Sequence, residues 1–345
     1  MKKQIIAIIL LVASVLPATA GNPDRSGSAG ASHLLVNPWA RTSAFGNAGM
    51  ASINGVEATF LNVAGLAFVR KTELQFCNNQ YLVGTGININ SFGFGQKVGE
   101  SGAFGITVNN MSFGDIEITE EDLPEGGIGK FSPSFTNIGV SYAKGFSNSI
   151  YGGLTVRLIS EAIYNARSQG VSFDAGIRYI TGEKDNVRFG IALRNVGPPM
   201  RYSGDGLSIT ATIPSNGSSV TVNRRSEKYE LPSLVNVGFA YDFFFGEKMK
   251  LTTDLQYTSN SFSKDQFGLG AQFGFRDRFI LRGGYTWENG ITSDEDRTTV
   301  FTGPSAGMTV QLPVGANETL FGLDYSYRVT NPFAGVHSIG LRIAL

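Results

Sequence analysis

From about residue 72 to the last residue, apolar and polar side chains alternate along the chain with a period of two. Phe267, Leu269, Ala271, Phe273 and Phe275 share one face, and the other carries glycines and Gln272. Met249, Leu251, Thr253, Leu255 and Tyr257 alternate with Lys250, Thr252, Asp254 and Gln256. The same pattern sets Phe321, Leu323, Tyr325 and Tyr327 against Gly322, Asp324, Ser326 and Arg328. It also sets Val187, Phe189, Ile191 and Leu193 against Arg188, Gly190, Ala192 and Arg194. A period of two is that of a strand with one face in an apolar medium. Fourteen segments read this way, near 72–81, 86–96, 102–111, 135–146, 149–160, 169–181, 186–195, 233–245, 248–258, 266–275, 278–288, 304–312, 318–328 and 335–345.

A soluble sandwich alternates too, so strand length and the content of the polar face decide. These segments run about 9–11 residues, the length a tilted strand needs to cross hydrocarbon, where soluble strands average about 5–6. The polar face mixes charges with glycine, as a crowded lumen requires. Tyr81, Tyr179, Tyr257, Trp287 and Tyr327 fall near strand ends, where interface girdles lie. The expected fold is all-β: a transmembrane antiparallel β-barrel of about 14 strands, the even number that single-chain bacterial barrels use.

Composition agrees, with 44 Gly, 25 Phe and 12 Tyr in 345 residues against 16% charged. The start of the chain supplies an address. Lys2 and Lys3 precede an apolar run from Ile5 to Leu16 and the small-residue site Ala18-Thr19-Ala20, a secretory signal peptide over 1–20. That run is too short to span a bilayer as a helix, and no Cys follows it to carry a lipid. The 28 basic and 28 acidic residues balance; losing Lys2 and Lys3 leaves 26 against 28, about −2. No basic stripe suggests nucleic acid. Cys77 is the single cysteine, which excludes an intrachain disulfide, and two His with one Cys argue against structural zinc.

Three stretches lack the alternation. Residues 21–70, rich in Gly, Ala and Asn, precede the first strand. An acidic stretch with Glu120, Glu121, Asp122 and Glu125 falls in a loop near 112–134. A long polar loop near 196–230 contains Pro198-Pro199 and a hairpin signal at Asn216-Gly217. The two loops follow strands three and seven, so both emerge at one end of a barrel, the outer one.

The segment Glu57-Ala58-Thr59-Phe60-Leu61-Asn62-Val63-Ala64-Gly65-Leu66-Ala67 resembles the Asn-Pro-Ala-Gly-Leu-Ala stretch that precedes the first strand in FadL-like barrels. Upstream, Leu34-Leu35-Val36-Asn37-Pro38-Trp39-Ala40-Arg41 and Phe45-Gly46-Asn47-Ala48-Gly49-Met50-Ala51 resemble the start of the PorV/PorQ branch. Ser112-Phe113-Gly114-Asp115-Ile116 and Ser141-Tyr142-Ala143-Lys144 are further similarities. Val63 departs from the pattern, standing where the family usually has Pro. The resemblance implies that 21–70 folds inward as a plug, with Asn37, Pro38, Arg41, Gly46, Asn62, Ala64 and Gly65 as motif positions, and that 71–345 forms the barrel. It also implies a non-enzymatic outer-membrane component of type IX protein secretion, a substrate shuttle or translocon partner. Its partners would be a large translocon barrel and secreted proteins with C-terminal signal domains. The alternative is a FadL-like transporter of long-chain fatty acids or other hydrophobic molecules.

Candidate chemistry beyond this is thin. Gly303-Pro304-Ser305-Ala306-Gly307 matches G-x-S-x-G, and Asp324 and His337 follow in the order of a hydrolase triad. No helix follows Ser305, and His337 shares a face with Ile339 and Leu341, so a triad is not expected. The acidic loop lacks calcium-loop spacing, and neither metal nor cofactor is expected. The inward charges Asp174, Arg178, Arg188, Arg194, Asp254, Arg282, Asp324 and Arg328 are expected to pair with one another and brace the plug. His33 reads as a local hydrogen-bonding residue and Cys77 as a small apolar one.

Overall fold

A computed structural model describes residues 23–315 and 319–345; the signal peptide expected over 1–20 lies outside the described residues. Fourteen strands form one antiparallel sheet closed on itself. They are β1 (Thr72–Gln80), β2 (Asn88–Val98), β3 (Gly102–Ser112), β4 (Ser134–Gly145), β5 (Ile150–Ile163), β6 (Ala166–Thr181), β7 (Val187–Val196), β8 (Leu234–Phe245), β9 (Met249–Asn260), β10 (Gln266–Phe275), β11 (Phe279–Glu288), β12 (Phe301–Val314), β13 (Thr319–Thr330) and β14 (Val336–Ala344). Each pairs with its neighbour in sequence, and β1 closes on β14 from Glu73 opposite Ala344 to Gln80 opposite His337. Closure leaves no edge, which is the condition for crossing a bilayer with strands.

The faces are inverted relative to a soluble protein. Leu255, Leu269, Leu323 and Leu341 point outward and are exposed, while Thr252, Asp254, Ser326 and Ser338 point inward and are buried. Tyr257, Phe267 and Trp287 make a row around the outer rim, with ring centroids 5.0 and 5.9 Å apart. Tyr179, Phe243, Phe245 and Phe279 are exposed near the opposite end. Tyr81 does not join a girdle. It lies one residue past β1, on the inward parity, edge-on to Phe301 at 6.5 Å.

Seven strands outrun the length expected from a hydrocarbon crossing: β4, β8, β9 and β13 have 12 residues, β5 and β12 have 14, and β6 has 16. The outer end of β6 continues past the band of apolar residues to pair with Tyr202–Ser203. Both long connections emerge at that end. One carries a two-residue ribbon, Ile116–Glu117 with Lys130–Phe131. The other carries a hairpin, Ser208–Thr212 with Ser219–Asn223, turning at Asn216-Gly217 as expected. At the other end the turns are short; Gly246, at φ 65, makes one of them.

Candidate functional site inside the barrel

Residues 30–70 lie among the inward faces of the strands. They contain two short helices, α1 (Ala40–Ala44) and α2 (Ala58–Leu61), and a 3-10 turn, Val63–Phe68. Neither helix is long enough to be stable alone. Burial holds them: Trp39, Ala40, Met50, Val56, Leu61 and Leu66 form a core with the inward Cys77, Ala103, Ala143 and Ala192.

The inward glycines explain how a chain segment fits inside. A Cβ at Gly284 (β11) would overlap the carbonyl of Phe45, and one at Gly270 (β10) would overlap its ring. Gly238 (β8) faces Met50, Gly176 (β6) faces Asn62, and Gly93 (β2) faces Val56 in the same way. Each of these glycines removes a side chain where the inner segment touches the wall.

The motif residues form two groups. In the first, Asn37 Oδ1 accepts from the Trp39 amide and the Thr42 hydroxyl, both at 3.0 Å, and so fixes the entry to α1. The Pro38 carbonyl accepts from Asn79 Nδ2 on β1 at 2.9 Å. Gly46, at φ 64, offers its carbonyl to Thr286 Oγ1 on β11. In the second group, Asn62 Oδ1 caps the 3-10 turn at the Ala64 amide, while its Nδ2 donates to the Ile177 carbonyl on β6 at 3.1 Å. The turn thus forms with Val63 in place of Pro. Ala64 is buried, and a Cβ on Gly65 would stand 2.6 Å from the Ile53 carbonyl and 2.8 Å from Arg178 Nη2.

One ion pair joins the groups. Arg41 Nε donates to Glu57 Oε2 at 2.7 Å, and Glu57, fully buried, also accepts from the Thr42 amide at 2.5 Å and Gln75 Nε2 on β1 at 3.1 Å. Burial alone would raise the Glu57 carboxyl; Arg41 and the Thr42 amide outweigh it and hold the group below its ordinary range. Glu57 opens the motif segment, yet nothing in the sequence marked it as Arg41's partner sixteen residues away.

Inward charges do less mutual pairing than expected. Arg188 pairs with Asp242, and Arg157 with Asp174 at 2.6 Å, so each pair has a member that the sequence reading did not single out. Arg178 instead donates to the carbonyls of Met50 and Ile53 and to Asn54 Oδ1, tying β6 to the inner segment. Arg194 stacks on Phe60 and Arg328 on Phe301, at 4.1 and 3.7 Å. Asp324 bonds Thr309, and Arg282 bonds Gln272 and Thr309. Asp254 is buried on β9.

At the outer end Glu161 (β5) gathers the long loop and the inner segment. Its Oε2 accepts from Tyr202 at 2.8 Å and Tyr229 at 2.6 Å, and His33 Nδ1 lies 3.2 Å from its Oε1. Burial and the adjacent carboxylate raise both tyrosine pKa values. The triad residues are not assembled. Ser305 donates to the Ala44 and Gly284 carbonyls, and His337 lies on the outer face bonded to Tyr325 at 2.8 Å. The acidic run at 120–125 is exposed.

Three cavities bear on passage. A space of about 20 Å³ lined by His33, Leu34, Phe60, Ile89, Met111 and Phe135 is mainly apolar. A cavity of about 370 Å³ opens outward and has a mixed lining, with Asn236, Gln256 and Glu288 beside Leu61, Leu234 and Phe301. One of about 540 Å³ opens at the opposite end and is lined largely by charged and amide side chains. Small-molecule pockets of about 300–1,000 Å³ are usually apolar with a few polar groups; here the space at the inner end is polar, the outward one is mixed, and the mainly apolar one is small.

These features define a membrane-spanning β-barrel of the outer-membrane type with a segment packed inside it. No family model and no curated protein matches the sequence. Solved structures do. A Pseudomonas putida toluene transporter, TodX, is similar at TM-score 0.56 and 12% identity, over 89% of this chain and 97% of that one. The CymD monoaromatic hydrocarbon channel is similar at 0.54 and 13%, over 90% and 97%. A Pseudomonas aeruginosa FadL homologue is similar at 0.50 and 13%, over 89% and 96%. The fold is that of the FadL-like barrels.

Proposed function

We propose that the chain is a non-enzymatic outer-membrane barrel that handles proteins, acting as a substrate shuttle or translocon partner of the kind the PorV/PorQ resemblance implies. One observation carries this reading: the middle of the lumen is occupied by residues 37–66, fastened by Arg41–Glu57, Asn62 and Arg178. In this reading the inner segment is a plug, and recognition belongs to the outer loops. The hairpin 208–223 suits that role, because Ile209, Val220 and Val222 stand exposed on it. The test is isolation from outer membranes in mild detergent, with full-length protein and a form lacking 208–223. The expected result is co-purification of a large barrel, or of exported proteins sharing a C-terminal β-domain, that is lost on deletion. Retention of every partner by the deleted form would overturn the loop assignment.

A second reading, a transporter of hydrophobic molecules, is favoured by the neighbours in fold, whose names are those of hydrocarbon channels and toluene transporters. Fold alone does not transfer that activity. Of the two readings it has the better support from the comparisons, and its expected result is stoichiometric apolar ligand in the purified protein with no protein partner.

A further inference from the structure

The end of the barrel opposite the long loops carries a concentration of positive charge. The vestibule of about 540 Å³ there is lined by eight basic side chains and two acidic ones, Glu73 and Asp277. Arg41 is neutralised by Glu57 and Arg188 by Asp242. That leaves six basic groups against two acidic, and Asp324, which reaches Arg282 through Thr309, reduces the surplus to about three. Three of the arginines are built into the wall rather than waving at the rim. Arg188 and Arg282 are more than nine-tenths buried, and Arg342 is held by Gln311 at 2.6 Å. Their donors are not used up: Nε of Arg188 and Nε of Arg342 are buried and have no acceptor.

Buried guanidinium donors without acceptors are costly unless something completes them. Water fills such a space at a neutral site, but it does not offset a surplus of charge. The volume exceeds that of a single phosphate, and Arg forks suit planar or tetrahedral oxyanions. We propose that this vestibule binds a ligand carrying two or more phosphate groups, entering from the periplasmic side. Such groups occur on free oligophosphates and on phosphorylated lipid headgroups, and the chemistry at the vestibule is the same for both. Arg188, Arg282 and Arg342 form the floor, while Arg70, Arg276 and Arg278 at the exposed rim draw the anion in.

The test uses the full chain in neutral detergent, titrated calorimetrically with inorganic pyrophosphate and, separately, with micelles doped with a lipid bisphosphate. Saturable binding of either is expected, weakening steeply with salt. Arg342→Gln should weaken it about tenfold or more. The triple variant Arg70→Ala, Arg276→Ala, Arg278→Ala alters exposed side chains only and protects the test against misfolding; it should weaken binding and flatten the salt dependence. Binding of pyrophosphate supports a soluble ligand, and binding of the doped micelles alone supports a headgroup. No saturable binding of either probe, or unchanged binding by both variants, overturns the proposal.

Discussion

Replacing Glu57 by Ala tests whether the inner segment is held by the geometry described. The substitution removes the acceptor of three hydrogen bonds and leaves Arg41 with the Asn54 carbonyl, at 3.2 Å, as its remaining hydrogen-bonded acceptor. Breaking a buried ion pair from one side costs about 3–5 kcal/mol, because the remaining charge stays buried without its partner. The strands make none of these bonds except through Gln75, so the cost should fall on the seating of the segment and not on closure of the barrel. A loosened state would then rise in population by about 100- to 5,000-fold. Two assays read this: hydrogen exchange of the amides in 40–62, and conductance in planar bilayers. Exchange should accelerate within the segment, and openings rare in the wild type should become frequent. The double variant Arg41→Met, Glu57→Leu should restore most of the protection, since an apolar pair of similar volume replaces a buried ion pair at little cost. Unchanged exchange and conductance in Glu57→Ala would refute the reasoning, because the pair would then contribute nothing to seating.

Acidification should act through the same carboxylate. Its folded pKa lies below the unfolded value of about 4.3, so its stabilisation is complete above that value and is lost as pH falls through the lower folded pKa. Conductance should therefore hold steady from neutral pH to about 5 and rise only in stronger acid. Gly284→Val should displace Phe45 from the wall while leaving heat-modifiable mobility intact, with the inner segment newly open to protease. Leu255→Arg, on the exposed face midway along β9, should cost about 2–4 kcal/mol in refolding titrations into vesicles. A shift near zero there would place that face outside the hydrocarbon.

The barrel was legible because its alternation has to satisfy two media at once. All fourteen strands fall within a few residues of the segments read from the sequence. Where the lengths differ, as in β6, the extra residues lie past the outer rim, where loop contacts and not lipid decide the pairing. The position of Tyr81 failed because a girdle was inferred from nearness to a strand end without its parity. The inner segment was legible only in outline. Its motif residues could be named, yet Asn37, Asn62 and Gly65 owe their roles to carbonyls and amides that no pattern in the sequence encodes. Arg41's partner was invisible for a related reason. A buried pair needs both members at one point in space, and neither their spacing of sixteen residues nor their type announces that point.

The wall glycines bear on which function the fold serves. In strands, glycine is a weak choice, without a side chain to pack and with more entropy to lose. A lumen that passes small apolar molecules needs apolar side chains along a path, and glycine provides none. Here Gly93, Gly176, Gly238, Gly270 and Gly284 sit where Val56, Asn62, Met50 and Phe45 press against the wall. They shape the lumen around the inner segment itself. Removal of that segment would leave a bare patch of backbone at each contact, a poor lining for a hydrocarbon. The cost of those glycines is offset by the close contacts they allow with the inner segment. The exposed chemistry then lies at the two mouths: a hairpin with apolar side chains on the outside and a basic vestibule on the inside.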